Sequence, residues 1–178
     1  MRTPGLAALV SLVCLSLLSA CATGSYLPPN PDASIRTDEE RYTFQAKAGY
    51  GAVTVVATYT NRTSQSVYIA TCGEGGEPVH GLERFANGRW EQVYGASSCA
   101  AEAPAVSTEV EPDGSLVTTF EIRSYDDVPT TAGILNAEAL PGVFRFNYYS
   151  VASTPGREVD DQLPEAARVS NAFELLLD

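Results

Sequence analysis

In separate stretches between Tyr42 and Leu177 the apolar residues of this chain recur at every second position, and that period constrains its fold more than any other feature. In "AVTVVATYT" (52–60), Val53, Val55, Ala57 and Tyr59 share one face and threonines dominate the other. Successive side chains on a strand point to opposite sides, so such a stretch buries one face and wets the other. "YTFQAKA" (42–48) repeats the pattern with Tyr42, Phe44, Ala46 and Ala48. "LVTTFEI" (116–122) does so with Leu116, Thr118, Phe120 and Ile122, and "VFRFNYYSV" (143–151) with Phe144, Phe146 and Tyr148. "VYIATC" (67–72) and "NAFELLL" (171–177) read as further strands. Only "AGILNAEAL" (132–140) and "PEAAR" (164–168) read as short helices.

Turn chemistry separates these strands. "LERFANGRWEQVY" (82–94) reads as a hairpin about Asn87-Gly88, because a type I′ turn needs positive φ at both central residues. That register sets Phe85 opposite Trp90 and Arg84 opposite Glu91. "NRTSQS" and "EPDGS" (111–115) are turn sequences as well. The 138 residues from Arg41 to Asp178 are enough for one domain with a substantial core. Short strands separated by turns predict an all-β sandwich there.

The N-terminus has a different character. Leu6 to Leu18 is thirteen residues without a charge, following Arg2. A membrane-spanning helix needs roughly 20 apolar residues, whereas a secretory h-region needs roughly 7 to 15. Leu18-Ser19-Ala20-Cys21 resembles the bacterial lipobox, in which diacylglycerol is transferred to the cysteine thiol before cleavage in front of it. The expectation is a lipoprotein signal peptide over 1–20 and a lipidated Cys21; the alternative is an ordinary signal peptide cut near Ala20 or Ala22. Residues 21–40 then form a disordered tether, since "ATGSYLPPNPDASIRTDEE" is rich in Pro, Ser and Asp and shows no apolar period. Nineteen flexible residues would span roughly 25 Å. Ala22, where a retention signal would place Asp, resembles lipoproteins sorted to the outer membrane of a host with two membranes; in a host with one, the outer face of the plasma membrane is expected.

Cysteine usage fits export. Cys14 leaves with the signal and Cys21 takes the lipid, which leaves Cys72 and Cys99 as an even pair. A disulfide between them closes a loop of 28 residues, for which chain entropy gives about 3.5 kcal/mol as an upper-end figure. The competing use of Cys72 and Cys99, a metal site with His80, lacks clustered C-x-x-C spacing. Removal of Arg2 leaves 10 basic and 22 acidic residues, a formal charge of −12, which disfavours nucleic acid as a partner.

The ordered series "YTNRTSQSVYI…C", "LERFANGRW", "EPDGS", "GVFRFNYYSV" and "VSNAFEL" resembles the bacterial immunoglobulin-like domains of exported lipoproteins. The resemblance covers most of residues 42–177. It implies an immunoglobulin-like antiparallel β-sandwich of about seven to nine strands over 41–178, and a location at the cell envelope. Asp113 stands where that pattern has Pro, and Phe144 where it often has Tyr. No reaction is shared by such domains, and fold does not imply function.

Candidate chemistry is sparse. His80 is the single histidine, placed in "GEGGEPVHG", which reads as a solvated loop; a Ser, His and acid triad would have to use it. Asp126-Asp127 and Asp160-Asp161 are adjacent carboxylates without the spacing of a calcium loop. "GEGG" (73–76) lacks the lysine of a phosphate loop. Asn61-Arg62-Thr63 has the form of an N-glycosylation sequon. Trp90, Tyr148 and Tyr149 form either a recognition surface or core. With no catalytic residue, cofactor or metal assigned, the expectation is a non-enzymatic binding or scaffolding module. Its membrane contact is the lipid anchor, its partner an envelope protein or glycan, and its surface the segment 73–98. The alternative is a protease inhibitor of β-sandwich type presenting that segment.

Overall fold

The computed structural model describes residues 27–28, 30–47, 50–94, 99, 104–126, 129–131, 133–156 and 161–178. Cys14, Cys21, the signal peptide, Asp127 and Asp160 lie outside the described residues. Twelve strands make up the described fold: β1 (Ile35–Thr37), β2 (Arg41–Lys47), β3 (Tyr50–Thr60), β4 (Val67–Cys72), β5 (His80–Ala86), β6 (Arg89–Tyr94), β7 (Ala105–Val110), β8 (Ser115–Tyr125), β9 (Ile134–Asn136), β10 (Gly142–Tyr148), β11 (Val151–Ala152) and β12 (Phe173–Leu177). The count exceeds the expected seven to nine because β1, β9 and β11 are only two or three residues long, too short to show a period. One turn of helix, α1 (Glu165–Arg168), forms where "PEAAR" predicts it. The other expected helix is instead β9 followed by a 3-10 turn at Ala137–Ala139.

Two layers face each other. One is built on β3 and β8, which pair over ten rungs from Gly51↔Ser124 to Thr60↔Ser115. The other runs β6-β5-β10-β12. Strand β2 belongs to both: Arg41 to Phe44 run parallel to Glu174 to Leu177 of β12, and Gln45 to Lys47 turn to pair antiparallel with β3. The pairings β2–β12 and β8–β9 are parallel and the other strand pairings antiparallel. A small third sheet, β11-β4-β7, continues beyond the end of β3 and β8.

The alternation read from the sequence places the core. Val53, Val55, Ala57 and Tyr59 of β3 and Phe120 and Ile122 of β8 are buried against Phe144, Phe146 and Tyr148 of β10. Phe120 stacks on Phe146 across the layers, with centroids 4.4 Å apart. Phe146 also meets Phe173 at 5.2 Å, and Tyr42 meets Phe173 edge-on at 5.7 Å. Such aromatic pairs add about 0.5–1.5 kcal/mol each beyond the area they bury.

Asn61 closes the corner where the β3–β8 ladder gives way to β4–β7. Its Nδ2 donates to the carbonyls of Gln65 and Val110 (2.8 and 2.9 Å). Its Oδ1 accepts from the backbone N–H and hydroxyl of Thr63 (2.9 and 2.8 Å). Wholly buried and committed on both ends of its amide, this side chain is no glycosylation acceptor in the fold. In the facing turn Asp113 has φ 58°, a value closed to proline.

The tether does not extend to residue 40. Ala33 and Ile35 are fully buried, β1 pairs with β3, and Asn171 holds Thr37 through N–H to Oδ1 (2.8 Å) and Nδ2 to Oγ1 (2.9 Å). Tyr42 donates its hydroxyl to Asp38 Oδ1 at 2.6 Å, which also accepts from Val56 N–H. The folded unit therefore begins near Asn30 rather than at Arg41. Two apolar residues among prolines and acids carry too little pattern to be read as a strand.

The hairpin register is as predicted: Phe85 pairs with Trp90 and Arg84 with Glu91, while the ion pair that forms is Arg89–Glu91 (2.8 Å). Asn87 and Gly88 have φ of 53° and 79°. Gly88→Val forces a β-branched residue into the left-handed region and is expected to cost about 1 kcal/mol or more, measured as a lowered urea midpoint; an unchanged midpoint would contradict the strain argument.

Candidate functional site

The segment 73–98, expected to be the recognition surface, is mostly sheet. Strands β5 and β6 take up 80–86 and 89–94, which leaves Gly73 to Val79 and the Asn87-Gly88 turn as its described non-strand parts. Beneath it, Cys72 at the end of β4 is joined to Cys99, with Sγ–Sγ 2.12 Å and Cα–Cα 5.1 Å. The sulfurs bond to each other and His80 points elsewhere, so these three residues do not assemble a metal site. Among the described residues no group of three or more His, Cys, Asp or Glu side chains is arranged to hold a metal ion.

His80 corrects the expectation of a solvated loop residue. It opens β5, pairs with Tyr148 and is 3% exposed. Its ring lies 4.5 Å from Phe120, 5.7 Å from Phe146 and 6.0 Å from Tyr94. Nδ1 stands 2.8 Å from the carbonyl of Pro78, which can only accept, so Nδ1 carries the proton. Nε2 then accepts from the Tyr94 hydroxyl, at 3.4 Å. Burial in this aromatic cage pushes the imidazole down from 6.5 to about 4, the Pro78 carbonyl opposing the shift, and holds it neutral. Position i−2 from the core residue Leu82 carried the signal: one more step of the alternation places His80 inward. Tyr148 is likewise core, and Tyr149 packs over Gly81, where a Cβ would meet its hydroxyl at 2.2 Å. Asp126 is exposed, and Asp161 accepts from the Thr154 hydroxyl at 2.6 Å.

Trp90 is the sequence candidate that reaches a site. The outer face of the β6-β5-β10 layer carries the residues that alternate with the core: Arg145 and Asn147 between Phe144, Phe146 and Tyr148 on β10, and Glu83 opposite Arg145 on β5. The Arg145 guanidinium lies over the indole of Trp90, Cζ 4.5 Å from the ring centroid. Nε donates to Glu83 Oε2 at 2.5 Å and Nη2 to Glu165 Oε1 at 2.8 Å. Asn147 Nδ2 donates to the other oxygen of Glu83 at 2.9 Å. Arg145 and Glu83 side chains are each 13% exposed and Glu165 63%.

Beside this network a groove of about 340 Å³ opens. Trp90, Arg145 and Glu165 line it together with Pro28 and Asn30 of the entering chain, over a floor that includes Ala166, Val169 and Ala172. Asn30 reaches across with Nδ2 to the carbonyl of Ser170 at 3.4 Å. Arg145, Glu165 and Asn30 are not legible as a site in the sequence, because they come from three distant stretches that only the sheet brings together.

No family model matches the chain, and no curated protein matches it. Among solved structures, a crystal structure of a protein from Archaeoglobus fulgidus aligns at 14% identity over 79% of this chain and 91% of that one, with a TM-score of 0.34. That similarity is too low to carry fold or function across.

Two outcomes follow from this geometry. A non-reduced digest is expected to contain the Cys72–Cys99 linked peptides, and reduction is expected to lower stability by up to about 3.5 kcal/mol; two free thiols in protein isolated without reductant would contradict the pairing. For His80 the folded pKa is depressed, so between pH 6.5 and about 4 the unfolded chain binds a proton that the folded protein refuses. Stability from this group is full above pH 6.5 and is lost as pH falls through that window. Urea unfolding is expected to show a loss of about 2 kcal/mol between pH 7.5 and 5 that His80→Asn abolishes; an identical pH slope in both proteins would contradict the assignment.

Proposed function

We propose that this chain is an exported lipoprotein, lipidated at Cys21, whose sandwich domain acts by binding rather than turnover at the membrane surface. The observation that carries the reading is the Trp90–Arg145 groove, a concave site on the outer face of a rigid sheet, lined in part by the chain that leads back to Cys21. Sites on sheet scaffolds hold their side chains in place before a ligand arrives, which lowers the ordering cost of binding. The lipobox match after a thirteen-residue apolar run supports the anchor. A protease-inhibitor reading is less favoured, because residues 80–86 and 89–94 of its candidate loop are tied into the sheet.

Two measurements test the parts separately. The natural protein is expected to fractionate with membranes and enter detergent, and Cys21→Ser to remain unprocessed or soluble; normal processing and membrane retention of Cys21→Ser would remove the anchor. Radical footprinting is expected to show Trp90 protected in intact cell envelopes relative to purified protein, with Val117 on the opposite layer equally labelled in both. Equal labelling of Trp90 would remove the recognition role.

A further inference from the structure

We propose that the Trp90–Arg145 groove binds a neutral saccharide, one or two pyranose rings in size; the proposal rests on the recognition reading above and names its ligand class. The charge arrangement excludes most alternatives. Arg145 is the cation at the groove, and both of its bonded edges are taken, by Glu83 at 2.5 Å and Glu165 at 2.8 Å. An anionic ligand would meet the exposed Glu165 carboxylate before it met a guanidinium that is 13% exposed. An ammonium ligand would be drawn by Glu165 but opposed by the guanidinium standing between the two carboxylates. A ligand without charge loses nothing to either group.

The remaining surface fits a ring that is apolar on its faces and hydroxylated around its rim. Pro28, Ala166 and Ala172 supply small apolar contacts beside Trp90. Asn30 and Glu165 supply planar groups with two polar atoms side by side, which match hydroxyls on adjacent ring carbons. Glu165 gives one oxygen to Arg145 and keeps accepting capacity on a side chain 63% exposed. The Asn30 amide makes only a long bond to Ser170 (3.4 Å) and so yields to a better partner at little cost. At about 340 Å³ the groove lies at the small end of ligand pockets, ~300–1,000 Å³, which suits a mono- or disaccharide better than an extended chain.

Trp90 is the one tryptophan of the chain, so its emission reports this groove alone. The full chain is titrated with cellobiose, maltose, lactose and diacetylchitobiose, beside glucosamine, galacturonate and a Leu-Pro-Pro-Asn-Pro peptide that copies the sequence of residues 27–31. At least one neutral disaccharide is expected to give a saturable change with half-saturation at about millimolar concentration or tighter. Glu165→Ala is expected to weaken it by about tenfold or more while circular dichroism stays unchanged, and Val117→Ala to leave it unaltered. No response to any neutral disaccharide would overturn the proposal, as would a response untouched by both Glu165→Ala and Asn30→Ala. A response to the amine, the acid or the peptide alone would also overturn it. A flat titration with Trp90 still protected in cell envelopes would discard the saccharide and leave the recognition role standing.

Discussion

The stack of Phe120 on Phe146 is the contact on which the rest of the molecule depends, because it joins one layer of the sandwich to the other at the centre. A strand has only two faces. Once Phe144, Phe146 and Tyr148 are committed inward, Arg145 and Asn147 have no choice but the outer face. A slip of one residue along β10 would bury the Arg145 guanidinium in the aromatic core, and an uncompensated buried charge costs several kcal/mol. The hydrophobic register of the inside thus places the ion network and the groove of the outside.

Asn61 performs the matching task at the end of the sheet. Where β3 and β8 stop pairing, two chains must bend together without leaving buried backbone groups unpaired. One amide satisfies carbonyls on both sides of the bend, while the Asn61 backbone exchanges bonds with Gly114 and Asp113 (3.0 and 2.9 Å). An unmet buried donor or acceptor costs about 1–3 kcal/mol, so the corner is held by hydrogen bonds more than by packing. It also aims β4 so that Cys72 ends beside Cys99 and the carbonyl of Ala70 accepts from Val79 N–H at 2.8 Å, which fixes the approach to His80.

Long period-2 stretches were legible in the sequence because burial of one face leaves a direct trace in composition. The inward residues of β3, β8 and β10 and the Asn87-Gly88 turn could all be read without a structure. Strand β1 could not, since Ala33 and Ile35 are recognised as core only when β3 and Ser170 are known to lie beside them. His80 was obscured by the glycines and proline before it, although Leu82 two positions on carried its direction. The groove was half legible: Trp90 stood out as the one tryptophan of the chain, whereas Glu83, Arg145 and Glu165 acquire meaning only through the pairing of β5 with β10 and the return of α1 over it. Charges on a sheet face look alike in a sequence whether they are solvated or bonded.

Packing of residues 30–40 onto the sandwich alters what an anchor at Cys21 would do. With the fold beginning near Asn30, nine Cα-to-Cα steps separate it from Cys21, a span of at most about 30 Å even when fully extended. Because Asn30 itself lines the groove, lipidation would hold the site, and not merely the domain, within that distance of the bilayer. A domain with a formal charge of −12 is repelled by an anionic leaflet, so it would stand off the surface rather than lie on it. Attraction by net charge then cannot select a ligand displayed there. If the groove binds as proposed, selection would come from shape, small apolar contacts and hydrogen bonds, the terms that the surface beside Trp90 supplies.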